Sequence, residues 1–218
     1  MTEEQYQSLA AQLRQPHGEF GLQVGNNMNV GNVHINKNTI GLLELSVNDE
    51  VLEIGMGNGF FVKDLFVVEP SVRYTGLDFS PLMIEEASRN NAELIQEGKV
   101  NFRLGAADAI PFDDSTFTKI FTINTLYFWD NPERILAELR RVLKKEGELF
   151  ISIRPKEVMQ HYPFVKYGFA MYTKEEVGAL LEKNGFQVIA AIETDEPEQQ
   201  IGEIKIQVKS LIIQACRG

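Results

Sequence analysis

Residues 51–60 read Val-Leu-Glu-Ile-Gly-Met-Gly-Asn-Gly-Phe, an apolar run that ends in an acid and then spaces three glycines two apart. No other stretch limits the fold as strongly. A buried strand that turns sharply into a helix needs residues without a Cβ, both for its backbone angles and to let a ligand lie against the main chain. Glu53, Gly55, Gly57 and Gly59 are therefore the first candidate site residues. A nicotinamide-binding turn would carry its third glycine five positions after the first, where this chain has Phe60. Glu53 also argues against that ligand, because a carboxylate near the turn repels pyrophosphate and suits an ammonium group.

From Glu50 onward, apolar runs alternate with amphipathic stretches, as in a parallel sheet wrapped by helices. Strands are expected at 51–55, 72–77, 100–104, 119–123 and 148–153, with two more near 186–192 and 204–213 joined by an acidic loop. The expected fold is α/β, a doubly wound, mostly parallel seven-stranded sheet of Rossmann-like type. Helix signals fall between the strands. Ser80 can cap a helix with Pro81 in its first turn, and Thr173 and Glu176 form a capping box. Asn131-Pro132 opens a helix with Ile135, Leu136, Leu139, Val142 and Leu143 on one face, expected to close on Lys144-Lys145 and Gly147.

Ahead of this domain, residues 3–15 look helical, whereas 18–41 are crowded with glycine and asparagine and read as an irregular cover. A short amphipathic turn is expected at 39–45. The expected organisation is an N-terminal helix and cover over 1–45 and a main domain over 46–218, with an insertion at about 155–172.

Two further acids belong with the glycine turn. Asp78 stands at the end of the second strand, 21 residues after Gly57, where an acid can accept both hydroxyls of a ribose. Asp108 follows the third strand and can reach the same crevice, where it can accept a hydrogen bond from an adenine amino group. Each acid alone has a plain structural reading, as a helix-start or turn residue. Their order and spacing reinforce one another.

The chain resembles the class I S-adenosylmethionine-dependent methyltransferases, particularly the small-molecule group that includes the ubiquinone and menaquinone biosynthesis C-methyltransferases. The matching residues are Glu53-x-Gly55-x-Gly57-x-Gly59, Gly76-Leu-Asp78-Phe-Ser80, Asp108-Ala-Ile-Pro-Phe112 and Glu138-Leu-x-x-Val142-Leu-Lys144-x-x-Gly147. The resemblance implies S-adenosyl-L-methionine as cofactor. Glu53 and the glycines would hold its methionine portion, Asp78 with the neighbouring Phe79 the ribose side, and Asp108 the adenine amino group. Met83 and Ala107 would flank the ring, and Asn124 would sit near the methionine end. Thr118 departs from a common Phe-Asp pair and is expected to be structural. Tyr127-Phe-Trp129 stands where many relatives carry a histidine, which removes proton transfer by histidine at that point.

On the acceptor side, His34 and His161 are the candidate bases, with Tyr127 as a further candidate catalytic group. The insertion carries Tyr162, Phe164, Tyr167, Phe169 and Tyr172, which could form an apolar lid with Tyr127 beneath it. Asn29, Asn36, Tyr127, Tyr162 and Tyr167 are the expected acceptor-pocket residues, and the acceptor is expected to be small and hydrophobic or aromatic. A net charge of −10 with no basic run argues against nucleic acid and anionic membranes as partners. With a single cysteine no intrachain disulfide can form, and with no signal-peptide pattern the expected location is cytoplasmic. No metal is expected, and the oligomeric state stays open. Two other readings remain, a binding or regulatory protein that keeps the cofactor site and a nicotinamide-dependent oxidoreductase.

Overall fold

The computed structural model describes all residues, 1–218. Three helices come first: α1 (Glu3–Arg14), α2 (Gly18–Gly31) and α3 (Val33–Leu42). The sheet then builds as β1 (Glu50–Ile54), α4 (Val62–Val68), β2 (Arg73–Asp78), α5 (Pro81–Asn90), α6 (Ala92–Gln96), β3 (Val100–Leu104) and β4 (Phe117–Ile123). A 3-10 turn (Leu126–Phe128) leads to α7 (Pro132–Val142), β5 (Leu143–Ile153), α8 (Lys156–Met159) and α9 (Lys174–Lys183). The chain closes with β6 (Phe186–Asp195), β7 (Gln199–Ile201), β8 (Ile204–Ile206) and β9 (Lys209–Arg217).

The main sheet has seven strands in the order β3-β2-β1-β4-β5-β9-β6. The first five are parallel, and β9 runs antiparallel to both β5 and β6. Strand order reverses between β1 and β4, so a crevice opens beyond their carboxyl ends, the place where open α/β sheets bind ligands. Alternate residues along each strand enter opposite cores. Leu52, Ile120 and Leu149 pack with α7 and α9, while Val51, Phe121 and Phe150 pack with α3, α4 and α5. Burial on both faces explains why these strands read as continuous apolar runs. No helix is long and apolar enough to cross a membrane.

Three expectations give way here. Residues 18–41 are not irregular but helical, and the turn expected at 39–45 is largely the end of α3. Glycine and asparagine weaken a helix locally, yet Gly21, Val24, Gly25, Ile35, Asn36, Thr39 and Ile40 form one buried stripe at helical spacing. A Cβ on Gly21 would stand 2.9 Å from the Pro16 carbonyl carbon, so here the missing side chain permits packing. The segment breaks only at Asn32 (φ −108°, ψ 10°).

The second correction concerns α7, which stops at Val142. Leu143 is already extended, and Lys144, Lys145 and Gly147 belong to β5. Gly147 is a close-packing residue, since a Cβ would lie 2.8 Å from the Thr118 carbonyl oxygen. Thirdly, the connection expected as an acidic loop contains the β7–β8 hairpin, and β9 begins only at Lys209. Thr118 is structural as expected: its hydroxyl donates to Asp49 at 2.7 Å and accepts from the Glu50 amide at 3.0 Å.

Candidate functional site

A cavity of about 390 Å³ lies beyond the carboxyl ends of β1, β2 and β4, roofed by α1 and α2. Its floor is the turn after β1. Gly55 and Gly57 have φ of +72° and +59°, a region that L side chains rarely adopt. The Gly55 amide donates to the Leu77 carbonyl at 2.7 Å, which ties the turn to β2. Gly57 faces open space, so its missing side chain leaves room in the cavity itself. Gly59 differs from the expectation. It does not line the cavity, and a Cβ there would meet Asn91 Nδ2 at 2.8 Å and Ala87 at 3.0 Å. Its role is close packing of the turn on α5.

Two buried carboxylates stand over this floor. Glu53 opposes Gly76 on β2, so Tyr74 and Asp78 flank it on the same sheet face. The Tyr74 hydroxyl donates to Glu53 Oε2 at 2.5 Å. Burial pushes the Glu53 carboxyl up to about 7, with the Tyr74 hydrogen bond opposing that rise and Asp78 adding to it. Asp78 accepts the amides of Gly57 at 3.1 Å and Ser80 at 2.9 Å. Its carboxyl is nonetheless pushed up to about 6 by burial. Neither acid forms an ion pair: Glu53 accepts from the Tyr74 hydroxyl and Asp78 from backbone amides. Two uncompensated carboxylates beside an open glycine turn suit a ligand with an ammonium group and hydroxyls.

The other expected cofactor residues gather here as well. Phe79, Met83, Ala107, Asp108 and Asn124 all line the cavity. Asp108 is partly exposed, 3.5 Å from Arg134 Nε. Asn124 holds a left-handed conformation (φ +57°), unusual for a residue with a side chain. Its Nδ2 donates to Asn32 Oδ1 at 3.2 Å, and its Oδ1 accepts from Tyr127 at 3.0 Å.

The acceptor-side expectations divide. Asn29 and Asn36 line the cavity, joined by Met28 and Asn32, which were not anticipated. The signal for them was the helical spacing of 25, 28, 29, 32 and 36, hidden by reading the segment as irregular. Tyr127 does not line it. Its hydroxyl is buried, accepts from the Arg154 amide at 2.5 Å and donates toward Arg154 O and Asn124, and burial pushes its ionisation well above the usual tyrosine range. That geometry makes it a structural clasp rather than a base.

Tyr162 stacks on Phe164 and donates to Gln199, while Tyr167 bonds Glu3; neither lines the cavity. The insertion packs Tyr162, Phe164, Phe169 and Tyr172 on the α7–α9 core because that larger apolar surface is within its reach. Aromatic cover in the cavity comes instead from Phe61, Phe79, Phe128 and Trp129. His34 and His161 are both exposed and outside the cavity.

Residues 52–151 match the methyltransferase domain family. The methyltransferase-family protein YrhH of Bacillus subtilis is 33% identical over 111 residues, covering 51% of this chain and 61% of its own. Demethylmenaquinone methyltransferase of Thermotoga maritima is 36% identical over 110 residues, covering 50% of this chain and 45% of its own. The chain thus spans less than two thirds of the length of either relative. A solved S-adenosylmethionine-dependent methyltransferase of Aquifex aeolicus shares the fold with a TM-score of 0.70 at 21% identity, over 97% of this chain and 98% of its own. Motif, topology and cavity agree with these likenesses: residues 52–151 are a methyltransferase domain, on the Rossmann-like fold of the solved S-adenosylmethionine-dependent methyltransferases.

Proposed function

We propose that the protein transfers a methyl group to a small, largely apolar acceptor that is uncharged or cationic. The observation that carries this reading is the pair of buried, unpaired carboxylates, Glu53 and Asp78, set around the open Gly57 turn. Bound S-adenosylmethionine supplies an electrophilic methyl group on a sulfonium. The residues of the chain bind, orient and exclude water. Glu53 is placed to accept from the ammonium, Asp78 from the ribose hydroxyls, and Asp108 from the adenine amino group. Alignment of the acceptor and removal of water are themselves worth several kcal/mol in order-of-magnitude terms.

The acceptor class follows from the cavity wall. It contains no histidine, lysine, cysteine or tyrosine, and its side-chain bases are carboxylates, of which Glu53, Asp78 and Asp108 are engaged by the cofactor in this reading and Asp130 by Arg14. Four carboxylates (Glu53, Asp78, Asp108 and Asp130) face it against one cation, Arg14, which is itself paired with Asp130 at 2.5 Å. An anionic acceptor is repelled by that field. Asn29, Asn32 and Asn36 offer neutral hydrogen bonds, and Met28, Phe128 and Trp129 apolar surface. A neutral nucleophile that needs no strong base suits this wall.

Calorimetry with S-adenosylhomocysteine and NAD tests the cofactor, and an acceptor panel scored by S-adenosylhomocysteine release tests the reaction. Binding of S-adenosylhomocysteine, with turnover of neutral or basic acceptors ahead of carboxylates and phosphates, is the expected result. Tight NAD binding, or a preference for anionic acceptors, would overturn the reading. The lack of a base left free of cofactor or ion pair favours a second reading, a protein that binds the cofactor without turnover. It predicts cofactor binding with no methylated product in any panel.

A further inference from the structure

The hydroxyl of Tyr74 has no obvious reason to exist in the core. Tyr74 is 1% exposed, packs in the apolar cluster with Val51, Leu65, Val72 and Phe121, and meets Phe102 edge to face at 6.1 Å. A phenylalanine would fill that space equally well and would bring no polar atom to desolvate. The one hydrogen bond the phenol makes is to Glu53 Oε2, at 2.5 Å. It spends its donor on one carboxylate oxygen and leaves the other, Oε1, without a protein partner at the cavity wall. The register explains how this position reaches the acid. Glu53 lies opposite Gly76, so Tyr74 and Asp78 flank it on that face, and Met56 and Phe102 fill the space over the glycine, 2.9 Å from where a Cβ would stand.

We propose that Tyr74 is a positioning residue of the cofactor site: its hydroxyl orients the Glu53 carboxylate and keeps it ionised for the ligand ammonium. The inference rests on the reading of Glu53 as the ammonium partner. The groups facing Glu53 are few. From β2 come Tyr74 and Asp78, and Asp78 is the charge that acts on it; β4 contributes Phe121 opposite it, and the cover contributes the uncharged Asn32 and Asn36. Burial and Asp78 both push Glu53 toward its neutral form, and the phenol is the group that opposes them. Without the phenol, a proton would occupy the carboxylate at neutral pH and the ammonium would meet a neutral acid. Tyr74 touches no ligand itself, so its effect must appear as a shift along the pH axis rather than as a uniform loss.

The test measures S-adenosylhomocysteine affinity by calorimetry from pH 5.5 to 8 for the natural protein, Tyr74→Phe and Glu53→Gln. The expected natural profile rises through neutral pH. For Tyr74→Phe the rise moves up by about one pH unit, so the variant binds about tenfold more weakly at pH 6 and within about threefold at pH 8. Glu53→Gln should bind weakly with a flat profile. A Tyr74→Phe profile parallel to the natural one, lower or not, overturns the proposal, because a merely structural hydroxyl would act equally at every pH. A second readout needs no ligand: the carboxylate resonance of Glu53 in 13C-glutamate protein, assigned by its absence in Glu53→Gln. Its midpoint should rise in Tyr74→Phe, and an unmoved midpoint overturns the proposal. If the midpoint moves but the natural protein does not bind S-adenosylhomocysteine, the cofactor reading has failed and the proposal with it, by a visibly different result. Should Tyr74→Phe not fold, uniform replacement of tyrosine by 3-fluorotyrosine, whose hydroxyl is a stronger donor, should lower the Glu53 midpoint, and an unmoved midpoint overturns the inference.

Discussion

The floor and the roof of the cavity are held by different groups: backbone amides donate in the floor, side chains in the roof. The floor, after β1 and β2, is held by backbone amides, that of Gly55 on the Leu77 carbonyl and those of Gly57 and Ser80 on the Asp78 carboxylate. Its angles are left-handed and its acids buried, so small chemical changes there have no slack to relax into. The roof is held by side chains at scattered points. Arg14 meets Asp130 at the exposed surface, Gln15 reaches the Phe79 carbonyl at 3.1 Å, and the Ser80 hydroxyl donates to the Pro16 carbonyl at 2.6 Å. The roof is anchored in the interior at the Ser80–Pro16 bond and again around α3, where Arg154 donates to Gly31 O at 2.6 Å and pairs with Glu196 at 3.0 Å and the Thr39 hydroxyl donates to Ser152 at 2.7 Å. The floor thus rests on constrained backbone, while the outer end of the roof rests on the exposed Arg14–Asp130 pair.

If that contrast is right, floor substitutions act on affinity and roof substitutions on stability or rate. Gly57→Val should have the largest effect, abolishing S-adenosylhomocysteine binding while circular dichroism stays native. A branched side chain would occupy the cavity, and φ of +59° disfavours it. Retained affinity would make the floor merely architectural. Arg154→Met removes one member of the buried pair and should destabilise the fold by about 3–5 kcal/mol in denaturant melts. A loss below about 1 kcal/mol would mean this anchor carries little of the roof.

The pH dependence sharpens the same comparison. The Glu53 carboxyl is raised from 4.5 to about 7, so the folded, ligand-free protein binds that proton more tightly than the unfolded chain. Its stability therefore falls as pH rises from about 4.5 to about 7, by on the order of 3 kcal/mol from this group. Melting curves should show that slope, and Glu53→Gln should lack it. Asp78→Ala comes next, weakening cofactor binding by about 1.5–3 kcal/mol in calorimetry. Because Asp78 also holds two amides of the floor, some loss of melting temperature should accompany it. Arg14→Ala is the smallest, under about 1 kcal/mol in stability, with faster ligand release in stopped-flow. A tenfold change in affinity there would erase the distinction between floor and roof.

Much of the floor was readable along the chain. The acid, the spaced glycines and the acid 21 residues on are local demands, because each strand must end, turn and leave backbone open within a few residues. The roof was misread for the converse reason. Gly21 and Gly25 look like helix breakers until α5 and Pro16 are seen pressing on them. The aromatic insertion was misassigned because its composition says that it will bury surface, not which surface. Tyr162 and Phe164 found the α7–α9 core, and only the Glu3 contacts of Lys166 and Tyr167 link the insertion to the roof.

By itself, then, the sequence determined the strand alternation, the turn after β1 and the acids Glu53, Asp78 and Asp108, since period, spacing and glycine sites reflect backbone geometry within a few residues. Tertiary structure alone decided that 18–41 would be helical, that His34 and His161 would stand away from the cavity, and that a core phenol would reach Glu53. These depend on which faces meet across long chain separations, and burial between such faces outweighs the local propensity that a sequence displays.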